Sequence, residues 1–237
     1  MDSTTAGGPV LARYGTDDTA APLVVLLHGR GSDEQDIIGL APHLPAGPAY
    51  VAVRAPIAEG HGWAWFANQG IGRPVASSLA ATTSWFGRWL DQEAPPGRPV
   101  LLVGYSGGAT FAGGLVLDQP ARYAGLATVC ATLPVDAGLP LTPGRLQGLP
   151  VLVVQGQDDV VIPPELQQQT WEYLHQHSGA ALTAHRRPGG HGLTATDVAL
   201  VAGWITTVLT AAPYVDRPVH DPATTPAEPA GTPGDQR

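Results

Sequence analysis

The sequence predicts an α/β fold: one domain on a doubly wound, mostly parallel sheet. Short apolar runs recur through residues 22–212 as continuous stretches, not as alternating ones, the pattern of strands covered on both faces. Longer segments with helical spacing lie between them. The order strand, helix, strand, repeated along 237 residues, fits a single core rather than two.

In order, the expected strands are "LVVLLHG" (23–29), "AYVAVRA" (49–55), "VLLVGYS" (100–106), "AGLATVCA" (124–131), "VLVVQGQ" (151–157) and "ALTAHRR" (181–187). Helices are expected over 34–44, 77–92, 107–119 and 164–176, with a last one running to about 209. Pro163 and Pro164 suit the first positions of a helix, where a missing N–H does no harm. Thr194 and Asp197 have the spacing of a capping box, with Asp in place of Glu. Residues 1–21 are read as an N-terminal segment outside the domain, and 22–212 as the domain itself. The stretch 213–237, dense in Pro, Thr and acidic residues, is expected to be a disordered tail. The Pro/Gly-rich connection 133–149 is too short for a large cap, so any site should be open.

Composition narrows the function. Hydrophobic residues make up 43% and charged ones 14%, as in a compact globule. A net charge of −8, from 20 acidic and 12 basic residues, argues against nucleic acid as a partner. All the basic residues are Arg, and the absence of Lys removes Schiff-base and lysine-base chemistry. Cys130 stands alone within an apolar run, so no intramolecular disulfide or thiolate metal site can form, and a buried, inert thiol is expected. "MDSTTAGGPVL" has no basic region followed by an apolar one, and no apolar run approaches the roughly 18 residues of a membrane span. A soluble, cytoplasmic protein without a membrane span is the expectation.

The chemistry centres on "GYSGG". Gly104, Ser106 and Gly108 match Gly-x-Ser-x-Gly between a strand and a helix, the nucleophile elbow, in which a serine is held on a strained turn that only small flanking residues permit. The bland readings are an N-cap serine or a phosphate-binding glycine loop. The dinucleotide fingerprint fails, because Ser106 occupies the place of its second glycine. A serine nucleophile needs a base and a carboxylate, in the chain order Ser, Asp, His. "VLVVQGQDDVVIP" offers Asp158 or Asp159 at a strand end, and "RPGGHGLT" offers His191 in a loop after the last strand, preferred over His185 within it. The oxyanion needs two N–H donors, one from Gly107 and one from "LHGRG", where the Arg30 amide is preferred over those of Gly29 and Gly31. His28 is read as structural.

"LHGRGSDEQD", "RAPIAEGHGWAWF", "GYSGGA", "GQDDVVIP" and "GGH", in this order and over residues 22–209, resemble the carboxylesterase/phospholipase family of α/β-hydrolases, which includes acyl-protein thioesterases. The resemblance implies an α/β-hydrolase fold and a serine hydrolase that needs no metal or cofactor. It would cleave small-molecule carboxylic esters, or thioesters, of short to medium acyl groups through an acyl-enzyme. It selects Asp159 over Asp158, since the family's acid stands three residues after a strand-end Gly (Gly156) and four before a Pro (Pro163). It places the triad on Ser106, Asp159 and His191 and the oxyanion donors on Arg30 and Gly107. It also implies that Trp63, Trp65 and Phe66 line the acyl or alcohol groove, the alternative being an aromatic cluster beneath a long loop. Gly107 stands where many relatives carry Gln, and Gln155 where many carry His, which leaves ester, thioester and phospholipid cleavage open. Other uses of the same triad (amide, C–C or peroxy chemistry) and a non-catalytic binding protein are the rival readings.

Overall fold

The computed structural model describes residues 8–211. The tail expected over 213–237 lies outside them. The strands are β1 (Leu11–Gly15), β2 (Leu23–Leu27), β3 (Ala49–Val53), the short β4 (Ile57–Glu59), β5 (Gly62–Ala64), β6 (Asn68–Gly70) and β7 (Arg73–Pro74), then β8 (Val100–Tyr105), β9 (Gly125–Val129), β10 (Pro150–Gly156) and β11 (Ala181–Arg187). The helices are α1 (Glu34–Ile38), α2 (Ala76–Glu93), α3 (Gly107–Asp118), α4 (Pro164–Glu172) and α5 (Ala195–Thr210). Seven strands form one sheet in the order β1-β3-β2-β8-β9-β10-β11. Every neighbouring pair is parallel except β1 with β3. This is the α/β-hydrolase arrangement in a single domain.

Both faces of the sheet are covered, which is why the strands read as continuous apolar runs. Leu23, Val25 and Leu27 pack with Phe86 of α2 and Phe111 of α3, while Val24 and Leu26 pack with Ile37 of α1 and Val201, Trp204 and Ile205 of α5. Burying each such side chain contributes about 1.5–3 kcal/mol, so β2, buried along its whole length, anchors the core.

Besides the four short strands β4–β7, which were not expected, three elements differ from expectation. β1 lies within the stretch read as outside the domain, and it pairs antiparallel with β3 from Leu11↔Val53 to Gly15↔Ala49. Only Ala12 of β1 is fully buried and Leu11 partly so, and such an edge strand carries no apolar run to betray it. The helix expected over 34–44 ends at Ile38 and resumes as a 3-10 turn at Ala41–His43, because Pro42 has no N–H to donate to Ile38 and its ring crowds that carbonyl. The helix expected over 164–176 passes into a π turn at Tyr173–His177. The capping box at Thr194 and Asp197 forms as its spacing suggested.

From β2 the chain moves to β3 on one side and later returns to β8 on the other. A crevice therefore opens beyond the carboxyl ends of β2 and β8, where ligands collect in such sheets.

Candidate active site

Ser106 follows β8 with φ 51° and ψ −121°, a left-handed backbone that a residue with a Cβ adopts at a cost of about 1–3 kcal/mol. The flanking glycines let the turn close. A Cβ on Gly104 would lie 2.4 Å from Ala109 Cα, and one on Gly108 would lie 2.3 Å from the Leu27 carbonyl oxygen and 2.4 Å from that of His28. The turn is fastened by the Ser106 amide, which donates to Val129 O at 2.9 Å, and by the Thr110 amide, which donates to Ser106 O at 3.0 Å.

Three side chains from separate loops join in a chain of hydrogen bonds. Ser106 Oγ lies 2.8 Å from His191 Nε2, and His191 Nδ1 lies 2.9 Å from Asp159 Oδ2. The other carboxylate oxygen of Asp159 accepts the amides of Val161 at 2.9 Å and Ile162 at 3.1 Å, and the carboxylate is buried. Asp158 has a different job: its carboxylate accepts the Gly189 amide at 3.0 Å, and its own amide donates to Gly189 O at 3.1 Å. Gly156 is required beneath that contact, since a Cβ there would lie 2.4 Å from Gly190 O and 2.5 Å from Gly189 O. His185 sits in the interior of β11 opposite Val154 and takes no part.

The Arg30 and Gly107 backbones meet beside Ser106. A Cβ on Gly107 would lie 3.3 Å from the Arg30 amide nitrogen, and the Gly107 amide is the first of α3, a position at which the helix itself offers no acceptor. The Gly31 amide is committed elsewhere, to Trp63 O at 2.9 Å. The Arg30 side chain turns away to pair with Glu59.

His28 holds this loop from below. Its Nε2 accepts the Ala55 amide at 3.1 Å, which puts the ring proton on Nδ1, and Nδ1 donates to Gly29 O at 2.7 Å. Burial pushes its pKa below the ordinary value. A second support is Glu34, whose ionisation is opposed by burial but favoured by Arg54, its own backbone amide and Gln35 together, so that its pKa lies below the ordinary value. Arg54 donates to it through Nε at 2.6 Å and Nη2 at 2.7 Å.

The aromatic expectation is corrected. Trp65 is 1% exposed and Phe66 4% exposed, both inside the core. Trp65 stacks on Phe111 at 4.7 Å, and its indole donates to His28 O at 2.9 Å. Trp63 carries the Arg54 guanidinium 5.1 Å from its ring centroid, while its backbone bridges Ser32. Trp65 and Trp63 brace the loop carrying Arg30, and Phe66 packs in the core. The cleft at Ser106, about 310 Å³, is lined instead by Ile37, Leu40, Leu193 and Tyr105, with Ser32 and Asp36 among its polar residues.

Tyr105 and Arg187 are the residues that sequence reasoning missed. Tyr105 occupies the variable position of the elbow, and its hydroxyl donates to His191 O at 2.9 Å. Arg187 ends β11 beside the His191 loop, and only its place next to "PGGHG" hinted at a role. Among the described residues no group of three or more His, Cys, Asp or Glu side chains could hold a metal ion. No helix among them is long and apolar enough to cross a membrane.

A seven-stranded, mostly parallel sheet with Ser106 on a strained turn at its switch point defines an α/β-hydrolase. The chain belongs to the phospholipase/carboxylesterase family, whose model matches residues 14–209, and is a carboxylic ester hydrolase. It is 27% identical over 195 residues to a protein of Bacillus subtilis (strain 168) described as the putative hydrolase MhqD, covering 80% of this chain and 94% of that protein. Among solved structures, a Bacillus cereus carboxylesterase superposes with a TM-score of 0.74 at 24% identity, covering 84% of this chain and 93% of that one. A Mesorhizobium loti carboxylesterase does so with a TM-score of 0.69 at 25% identity, covering 82% and 98%.

Proposed function

We propose that the protein cleaves carboxylic esters, and thioesters of similar size, through an acyl-enzyme on Ser106. The observation that carries this reading is the unbroken hydrogen-bonded chain from Asp159 through His191 to a serine on a strained elbow. His191 Nε2 takes the Ser106 proton as Oγ attacks the carbonyl carbon, and Asp159 fixes the tautomer that makes this possible. The Arg30 and Gly107 amides stabilise the oxyanion that forms. The proton returns from His191 to the departing alcohol or thiol, and water then repeats the sequence to release the acid. The small cleft with apolar residues Ile37, Leu40 and Leu193 supports short to medium acyl groups.

Fluorophosphonate labelling followed by mass spectrometry of the modified peptide tests the reading. An adduct on Ser106 that is lost with His191→Ala and kept with His185→Ala is the expected result. Ser106→Ala should lower kcat on p-nitrophenyl esters by about 10⁴-fold or more. No adduct on folded protein would favour a binding protein on a hydrolase scaffold. Acyl esters, amides and thioesters of matched chain length then separate ester cleavage from the other chemistries of this fold.

A further inference from the structure

We infer that Arg187 is a positioning residue for the base: its guanidinium gathers the backbone on both sides of His191 and holds the imidazole in line with Ser106. This rests on the reading of His191 as the base.

The loop Pro188-Gly189-Gly190-His191-Gly192 contains three glycines and should be loose by composition. In the structure all five of its carbonyls are taken. Arg187 Nη1 donates to Pro188 O and to Gly190 O, each at 3.2 Å, and Nη2 donates to Gly192 O at 2.5 Å. Gly189 O accepts the Asp158 amide, and His191 O accepts the Tyr105 hydroxyl. The two remaining N–H groups of Arg187 go from Nε to Asp197 Oδ1 at 2.7 Å and from Nη2 to Cys130 Sγ at 3.6 Å. A guanidinium has five N–H groups in a rigid fork, and here each has an acceptor. Asp197 is fully buried, and its second oxygen accepts the Thr194 amide and hydroxyl, so it cannot swing away. The ion pair with Asp197 keeps the guanidinium charged and in place. A lysine could supply the charge, but only three donors from one point, too few and too concentrated for acceptors on both sides of His191.

Proton transfer tolerates little misplacement of the base, and a shift of about 1 Å costs on the order of 10²-fold. Loosening the loop should therefore slow chemistry without weakening substrate binding. The experiment compares Arg187→Lys, Arg187→Ala and Ser106→Ala by thermal melting, by kinetics on p-nitrophenyl butyrate and by the rate of fluorophosphonate labelling of Ser106. Arg187→Lys should fold, label slowly and lose on the order of 10²-fold in kcat, with KM within about threefold of wild type. Millimolar methylguanidinium should restore part of the kcat of Arg187→Ala and leave Arg187→Lys unchanged, a response that a purely structural role would not produce. Wild-type labelling and kcat in Arg187→Lys, with Ser106→Ala inert, would overturn the proposal alone. Failure of both Arg187 variants to fold would overturn it in favour of a structural role. Turnover surviving in Ser106→Ala would overturn the reading it rests on.

Discussion

The two halves of the site are held by different forces. On the β2 and β8 side, the elbow and the loop carrying Arg30 are placed by backbone contact. Gly104 and Gly108 allow main chains to approach to distances that exclude any Cβ, and Ser106 is strained as a result. On the β10 and β11 side, Asp159 and His191 sit in loops placed by hydrogen bonds that the Asp158 carboxylate accepts and that the Tyr105 hydroxyl and Arg187 guanidinium donate. The first half is rigid through exclusion of volume. The second has one such close approach, at Gly156 beneath Gly189 and Gly190, and depends in addition on its polar partners being satisfied. On the proposed mechanism a serine turn can be built once and left strained, whereas the base must stay in line with its partners while passing a proton in both directions, and directional hydrogen bonds set such an orientation.

The largest expected effect separates two adjacent carboxylates on the second side. Asp159→Asn should cost about 10⁴-fold in kcat, because the amide favours the wrong tautomer of His191. Asp158→Asn should cost about tenfold or less, the amount set by about 1.4 kcal/mol of loop placement. Equal losses measured on one ester would erase the distinction between the group that touches the base and the group that holds its loop.

Glycine-to-alanine exchange comes next and contrasts a glycine at a close approach in the first half with one in open space in the second. Gly108→Ala forces a methyl against two carbonyl oxygens and should destabilise the fold by about 1–3 kcal/mol while abolishing most activity. Gly192→Ala meets nothing within 4 Å and should stay within about 0.5 kcal/mol of wild type in thermal melts. A tolerant Gly108 would mean that the elbow is not set by exclusion.

Tyr105→Phe removes one hydrogen bond to the His191 carbonyl. It should cost about 1 kcal/mol, or about fivefold in kcat, with little change in KM.

The smallest effect is a pH dependence beneath the first half. His28 is neutral and buried with a lowered pKa, so below its ordinary value of 6.5 the unfolded chain binds a proton that the folded chain refuses. Stability should fall as pH drops below about 6.5, and His28→Asn should flatten the difference in melting temperature between pH 7.5 and pH 5. An unchanged slope would place the sensitivity elsewhere.

Strands buried on both faces, the elbow glycines and the order Ser, Asp, His were all legible along the chain, because each is a local pattern of residue type and spacing. Between His185 and His191, position along the chain favoured the residue that the fold places 2.8 Å from Ser106 Oγ, because a loop after the last strand can reach across the strand ends. β1 was not legible, because an edge strand with one buried and one half-buried residue leaves no periodicity. The aromatics misled for a related reason. Large rings near a site motif suit a groove or a core equally, and only packing sent Trp65 against Phe111.

What the sequence by itself determined is what depends on backbone conformation and near neighbours: the sheet, the strained serine and the residue types proposed for acyl transfer. The tertiary structure alone decided which polar groups meet across loops far apart in the chain. Arg187 and Tyr105 read as an unremarkable strand end and a variable position until the fold brings them against the carbonyls of one loop, because hydrogen bonds are made by distance and direction in space and not by spacing along the chain.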